Sequence, residues 1–157
     1  GGDADEAAEA DDGADGSTLW NRQLRGGATV SRHAVADGDD DGTTEVYFSV
    51  PGNLIRAVAG TDGSDEWSTR LAAEDTVPTP APVLGDLSGD GTRELVAVAN
   101  DGTATVLGPT DGSQLASYRR PVPVWTGPTV ADVTASPGAE VLVRYGDGRV
   151  ALVEYSE

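Results

Sequence analysis

The 157-residue chain contains no cysteine, no methionine and no lysine. Without cysteine the chain can form neither disulfides nor thiolate metal sites. No run of 18 apolar residues occurs, so the sequence predicts no membrane-spanning segment. No segment carries apolar residues at helical spacing, and we therefore expect almost no helix.

Acidic residues dominate the composition of the chain. Twenty-seven acidic residues stand against ten basic ones, all arginine, for a formal net charge of −17. This charge repels nucleic acid and anionic lipid, so neither is expected as a partner. It fits either an acidic interaction surface, such as a nucleic-acid mimic, or adaptation to molar salt, where the Debye length falls to about 3 Å.

The composition has no lysine and has abundant aspartate and small residues, which resembles the composition of proteins from halophilic archaea. We therefore favour the salt interpretation. The acidity then describes the environment of the protein more than its activity. Residues 1–14, "GGDADEAAEADDGA", have no apolar period and are predicted to be a disordered acidic tail or linker.

A threefold repeat covers residues 15–157. The tripeptide "DGS" begins at Asp15, Asp62 and Asp111, which divides the chain into repeats of about 15–61, 62–110 and 111–157. Each repeat continues with an acidic loop, an apolar segment such as "EVYFSV" or "ELVAVA", a glycine turn and a second short apolar segment. Nearly all variation in length falls in one connection, as is typical of structural repeats with a variable surface loop.

The apolar segments are short and rich in β-branched and aromatic residues, which predicts strands. Asp101-Gly102 and Asp147-Gly148 predict hairpins with type I′ turns. Residues 19–24 are predicted to be the outermost strand of a blade. Four strands in a repeat of this length are typical of a β-propeller blade, so the predicted fold is all-β, with three four-stranded antiparallel repeats.

Two stretches carry family resemblances. "PVLGDLSGDGTRELVAVANDGTATVLGPTDGS", from Pro82, resembles the FG-GAP/VCBS propeller repeat, which implies a calcium loop between the first two strands of a blade. "AVAGTDGSDEW", from Ala57, resembles the tryptophan-docking repeat of PQQ-like propellers. That likeness implies that Trp20 and Trp67, at equivalent positions, pack on the following blade.

Three blades do not complete a propeller, since known rings hold about four to eight. Two chains could combine into a six-bladed ring, with or without exchange of the N-terminal strand. The chain could equally be part of a longer propeller, or partner proteins could cap its open edges. The sequence leaves these three arrangements open and favours a partial propeller or an oligomer-completed ring over a lone monomer.

Each repeat contains an acidic loop, numbered one (residues 37–45), two (86–94) and three (132–140). Oxygen ligands at alternate positions, a turn glycine at the sixth and a carboxylate at the ninth are suited to Ca²⁺, which takes six to eight oxygens. We predict structural calcium in the first two loops, with magnesium or sodium as the alternative ion. The predicted ligands are Asp37, Asp39, Asp41, Thr43 and Glu45 in loop one, and Asp86, Ser88, Asp90, Thr92 and Glu94 in loop two.

Loop three keeps only two carboxylates, Asp132 and Glu140, and has Pro137 where the other loops have the turn glycine. We expect hydrogen bonds within the protein, without a metal, to hold this turn. For loops one and two the alternative is a polar turn in an acidic chain, with Glu45 and Glu94 as exposed residues that open a strand.

No catalytic or cofactor-binding residue is predicted. His33 is the only histidine and is interpreted as an ordinary loop residue, while Trp125 either anchors a ligand or packs beneath its loop. The favoured function is a non-catalytic, extracellular or cell-surface propeller that presents a rigid, calcium-stabilised face to a protein or glycan. The alternatives are a PQQ-like propeller of a quinoprotein and an assembly or scaffold factor.

Overall fold

A computed structural model of the chain describes residues 16–23, 33–71 and 80–156. These residues contain eleven strands and no helix, which confirms the all-β prediction. Within these ranges no helix has the length and apolar character needed to cross a membrane. The predicted acidic tail, residues 1–14, lies outside the described part of the chain.

The strands form three antiparallel sheets in which neighbouring strands follow one another along the chain. Sheet I contains β1 (Ala34–Ala36), β2 (Glu45–Val50), β3 (Leu54–Ala59) and β4 (Asp65–Arg70). Sheet II contains β5 (Val83–Gly85), β6 (Glu94–Val98), β7 (Thr103–Leu107) and β8 (Gln114–Arg119). Sheet III contains β9 (Thr129–Ala131), β10 (Glu140–Arg144) and β11 (Val150–Val153), so it has three strands where the other two have four.

The second strand of each sheet is the most buried, and in sheet II this is because the two faces of β6 pack against two different sheets. In β6, Leu95 and Ala97 join Tyr47 of sheet I in one core cluster. The alternate residues Val96 and Val98 join a second cluster with residues of sheet III. Successive side chains of a strand point to opposite faces, so an uninterrupted apolar run is what a sheet stacked between two others requires.

The two Asp-Gly hairpins form, but the predicted type I′ turns are wrong. A type I′ turn needs positive φ at both central residues, whereas only the glycines, Gly102 at 93° and Gly148 at 88°, have it. Asp101 Oδ1 instead accepts a hydrogen bond from the N–H two residues on, at 2.9 Å, and Asp147 does the same at 3.0 Å. The aspartate side chain therefore binds the N–H that follows the glycine, and the glycine alone takes the left-handed conformation.

The two equivalent tryptophans pack on the following sheet, as expected. Trp67 on β4 donates its indole N–H to the Pro109 carbonyl of sheet II at 2.7 Å. Trp20 donates its indole N–H to the Gly60 carbonyl of sheet I at 2.8 Å. Of the predicted strand at residues 19–24, residue 24 lies outside the described part of the chain, and residues 19–23 belong to no sheet there.

Candidate functional site

The three acidic loops connect the first strand of each sheet to its second. Each ends in a glutamate at the first residue of that second strand, and all three are buried: Glu45, Glu94 and Glu140. The interpretation of Glu45 and Glu94 as exposed strand-opening residues is therefore wrong. A carboxylate placed in the interior must receive hydrogen bonds or a cation, because isolated burial of charge is costly.

Loop one gathers four carboxylates. One carboxylate oxygen from each of Asp37, Asp39, Asp41 and Glu45 lies within 4.8 Å of the others. Gly42, at the sixth position, has φ of 90°, a conformation that glycine adopts without strain, and its N–H donates to Asp37 Oδ2 at 2.9 Å. This turn brings the beginning and the end of the loop together.

Glu45 is held in place by the strand it opens. Its Oε2 accepts hydrogen bonds from the Gly38 N–H at 2.9 Å and from the Tyr47 hydroxyl at 3.0 Å. Its Oε1 accepts one long hydrogen bond, 3.3 Å from Thr43 Oγ1. An ionised carboxylate can accept about four hydrogen bonds, so Glu45 retains capacity for a further ligand on the Oε1 side.

The charges of loop one affect the groups around them. Hydrogen bonds from the Thr43 hydroxyl and N–H lower the pKa of Asp41. Burial, followed by the hydrogen bond and negative charge of Glu45, raises the pKa of Tyr47. Burial together with the charges of Glu45, Asp39 and Asp41 raises the pKa of Glu66 on β4. The loop is thus a local concentration of negative charge, which a bound cation would neutralise.

Loop two is closed by hydrogen bonds to its own backbone. Glu94 Oε2 accepts from the Leu87 N–H at 2.7 Å, and Asp86 accepts from the N–H groups of Gly89 at 2.7 Å and Gly91 at 3.0 Å. Asp90 accepts from the hydroxyl and N–H of Thr92, which lower its pKa together with the Ser88 side chain. Among the described residues its carboxylates do not form a cluster like that of loop one. Calcium in loop two stays a prediction.

Loop three shows how this turn is built from protein groups. Glu140 Oε2 accepts the Val133 N–H at 2.9 Å, and its Oε1 accepts short hydrogen bonds from the Thr134 and Ser136 hydroxyls. These hydroxyls and the Val133 N–H lower the pKa of Glu140 to about 2. In loop three, two hydroxyls therefore donate to Glu140 Oε1. In loop one the equivalent atom, Glu45 Oε1, accepts a single long hydrogen bond.

A groove of about 780 Å³ lies against the first strands of the sheets. We call it the inner groove, and its lining consists of His33–Ala36, Pro80–Leu84, Arg93, Trp125 and Gly127–Thr129. No aspartate or glutamate is among these described residues, although the chain has 27. The first strands and the loop before β9 thus form a surface without negative charge.

Two side chains give the inner groove its chemistry. Trp125 is 64% exposed, and the absence of a side chain at Gly146 leaves room for its indole edge. The ring therefore does not pack beneath its loop, and its role as a ligand anchor stays a prediction. Arg93 is exposed and forms no ion pair with any described residue. His33 lies exposed just before β1.

Arg93 was not recognised as a site residue from the sequence. It is one of ten arginines and lies between Thr92 and Glu94, where the acidic loop dominates the pattern. Trp125 is 32 residues further along the chain, in another repeat. Nothing in the local sequence indicates that the two residues share a groove.

Among solved structures, the chain is similar to BamB from Moraxella catarrhalis, at 22% sequence identity and a TM-score of 0.52. The match covers 73% of this chain and 32% of BamB, so the chain spans about a third of that protein's length. BamB is a β-propeller of the PQQ-like repeat family, and the likeness shows that this chain has a propeller-type fold. No family model matches the chain, and no curated protein does.

Proposed function

We propose that this chain is a non-catalytic binding module of a propeller located outside the cell or on its surface, and that the inner groove binds an anionic ligand. The observation that carries this proposal is the groove lining. It has an exposed indole, a guanidinium without an ion-pair partner and no carboxylate among the described residues. Because the chain as a whole repels anions, the groove is the surface on which an anion is least opposed.

A carboxylate-bearing glycan matches both groups. The guanidinium of Arg93 can bind a carboxylate through two parallel hydrogen bonds. The exposed indole of Trp125 offers a flat apolar surface on which the C–H face of a sugar ring can lie. Adjacent backbone and proline surface, at Pro80 and Pro82, adds a rigid apolar wall.

The test is binding of uronate-containing oligosaccharides, measured by isothermal titration at fixed molar salt. We expect binding by the intact chain and at least a tenfold loss, about 1.4 kcal/mol, in Arg93→Gln and in Trp125→Ala. Arg119→Gln and Tyr118→Ala are the matched controls, because both side chains are exposed and lie outside the groove. Equal binding by all four variants, or preference for neutral sugars or an acidic peptide, would reject the glycan assignment.

We further propose that loop one binds one structural Ca²⁺. Support comes from the convergence of four carboxylates and from the spare acceptor capacity of Glu45, a residue only 1% exposed. The ion would neutralise mutually repelling carboxylates and stiffen the connection between β1 and β2. Its role is structural, and it polarises no substrate.

Titration of Ca²⁺ into chelator-treated protein tests this assignment. We expect one dominant site, a higher melting temperature with the ion, and loss of both effects in Asp41→Asn. Asp90→Asn, the same change in loop two, is the control and should leave the dominant site intact. An unchanged melting curve with excess chelator at fixed salt contradicts a structural ion, and equal responses to Mg²⁺ and Ca²⁺ would assign the site to either cation.

The setting that we propose is the surface of a halophilic archaeal cell, supported by the charge of −17 and the absence of lysine. A second candidate function is an assembly or scaffold factor, which the likeness to BamB favours because both have a propeller-type fold. The two functions differ in their ligand. A chain that binds no glycan but forms a stoichiometric complex with a purified protein partner would support the second.

A further inference from the structure

A cross-strand row of side chains joins each sheet to the next. In sheet I the row is Tyr47, Ala57 and Trp67, which lie opposite one another on β2, β3 and β4. The rings of Tyr47 and Trp67 have centroids 5.9 Å apart, and all three residues belong to the cluster shared with sheet II. In sheet II the equivalent row is Val96, Val106 and Ala116, which packs with sheet III.

In sheet III the row is incomplete and uncovered. Leu142 on β10 lies opposite Leu152 on β11. The equivalent pair in sheet II is Val96 and Val106. Leu142 is 39% exposed and Leu152 is 47% exposed. No described strand pairs with the outer edge of β11, so the third position of the row is vacant. Soluble proteins rarely expose an apolar face next to the unpaired edge of a strand.

The residue that would complete the row is present elsewhere in the chain. Trp20 is equivalent to Trp67: both lie five residues after the aspartate of a "DGS" tripeptide. Its ring packs against Gly63 of sheet I, as the ring of Trp67 packs against the equivalent Gly112 of sheet II. Residues 17–23 therefore lie against sheet I as a fourth strand of a preceding sheet would, without belonging to any sheet.

We propose that a second copy of this chain completes sheet III, with its residues 17–23 pairing with β11. The segment needs no rearrangement, because it is already held on its own sheet I by the Trp20 and Arg22 hydrogen bonds to Gly60 and Gly63. Leu142, Leu152 and Trp20 of the second copy then form the same row that Tyr47, Ala57 and Trp67 form within sheet I. Two copies joined at both ends give six sheets, within the usual range of about four to eight for propeller rings.

Local charge permits this contact despite the acidity of the chain. Residues 17–23, "STLWNRQ", contain one arginine and no carboxylate. The strand β11, "VALV", is uncharged and follows Arg149. Repulsion between the two copies therefore comes from carboxylates outside the two paired segments, among them Glu154 just after β11, and molar salt screens it. The dimer should be more stable at high salt than at low salt.

The register of sheets I and II makes the pairing testable at single residues. Ala57 lies opposite Trp67 and Arg56 lies opposite Ser68, which places Leu152 opposite Trp20 and Ala151 opposite Asn21 of the second copy. The chain has no cysteine, so any disulfide in a double-cysteine variant must join introduced residues. The double variant Asn21→Cys/Ala151→Cys should give a disulfide-linked dimer on mild oxidation in molar salt.

Gln23→Cys/Ala151→Cys, two residues out of register, and each single variant are the controls and should cross-link at least tenfold more slowly. Sedimentation of the unmodified chain should independently show a species of twice 16.0 kDa. A monomer at all concentrations in molar salt overturns the proposal. So does a dimer in which the out-of-register pair cross-links as fast, and so does a disulfide formed within one chain. The glycan and calcium experiments do not depend on this result.

Discussion

Trp67 of sheet I donates its indole N–H to the Pro109 carbonyl of sheet II across 2.7 Å. The two residues are 42 positions apart, and they join the last strand of one sheet to the turn before the last strand of the next. The same contact recurs between Trp20 and Gly60. A polar contact at the same place in the first two repeats thus fixes the tryptophan on the following sheet, while the apolar rows supply most of the buried surface.

Removing this contact should destabilise the fold in two separable steps. Trp67→Phe keeps an aromatic ring but loses the N–H donor, with an expected loss of about 1 kcal/mol in the free energy of unfolding. Trp67→Ala also leaves space between the sheets and should cost roughly 3 kcal/mol. Denaturant unfolding at fixed salt measures both values. Equal stability of the two variants would show that the ring contributes little beyond its hydrogen bond.

Gly112→Ala should be more destabilising than Gly148→Ala. Both glycines have positive φ, 70° and 88°, so both substitutions strain the backbone by about 1 kcal/mol. A Cβ at Gly112 would also clash with the Trp67 ring, whereas a Cβ at Gly148 would meet nothing within 4 Å. The clash should add about 1–3 kcal/mol. Melting temperatures of the two variants provide the comparison, and equal shifts would contradict the close packing at Gly112.

The contribution of Glu140 to the free energy of unfolding should depend on pH. Its pKa in the folded chain is lowered to about 2 by Ser136, Thr134 and the Val133 N–H, so the folded state favours the ionised form. This stabilisation is fully present above the ordinary glutamate pKa and is lost as pH falls from about 5 to 2. The difference in unfolding free energy between the parent chain and Glu140→Gln should therefore be largest at neutral pH and shrink below pH 5.

Glu154→Gln is the matched control for that experiment, because it removes one negative charge from an exposed residue outside the acidic loops. Its effect on stability should be small, because the side chain is exposed and lies outside the hydrogen-bonded turn. If the two variants followed the same pH profile, the loop-three hydrogen bonds would not be the cause.

Salt should stabilise the chain strongly. With a net charge of −17, the folded state concentrates repulsion that falls as the Debye length shortens from about 10 Å at 0.1 M to about 3 Å at 1 M. We expect the melting temperature to rise steadily with sodium chloride up to molar concentrations. Sucrose at equal osmolality is the control, since it stabilises by exclusion without screening charge. A melting temperature equally raised by sucrose would argue against adaptation to salt.

The repeat, the strand content and the positions of the acidic loops could all be predicted from the sequence, because each is a local property. The strands follow from runs such as "ELVAVA", and the turn glycine from its fixed place in the loop. The turn type at Asp101-Gly102 was wrong, because both a type I′ turn and the observed turn use aspartate followed by glycine. Which one forms depends on the φ of the aspartate, and residue preference alone does not fix it.

Long-range placement was decided by the tertiary structure. The sequence assigned loops one and two almost the same ligands, yet only loop one is found to gather its carboxylates among the described residues. The difference depends on side-chain directions, since Asp37 accepts a hydrogen bond from the Asp41 N–H whereas Asp86 accepts one from the Gly89 N–H. Trp125 and Arg93 share a groove because successive sheets turn their first strands towards it. A local pattern can specify a strand or a turn, but only the packing of one sheet on the next determines which distant side chains meet.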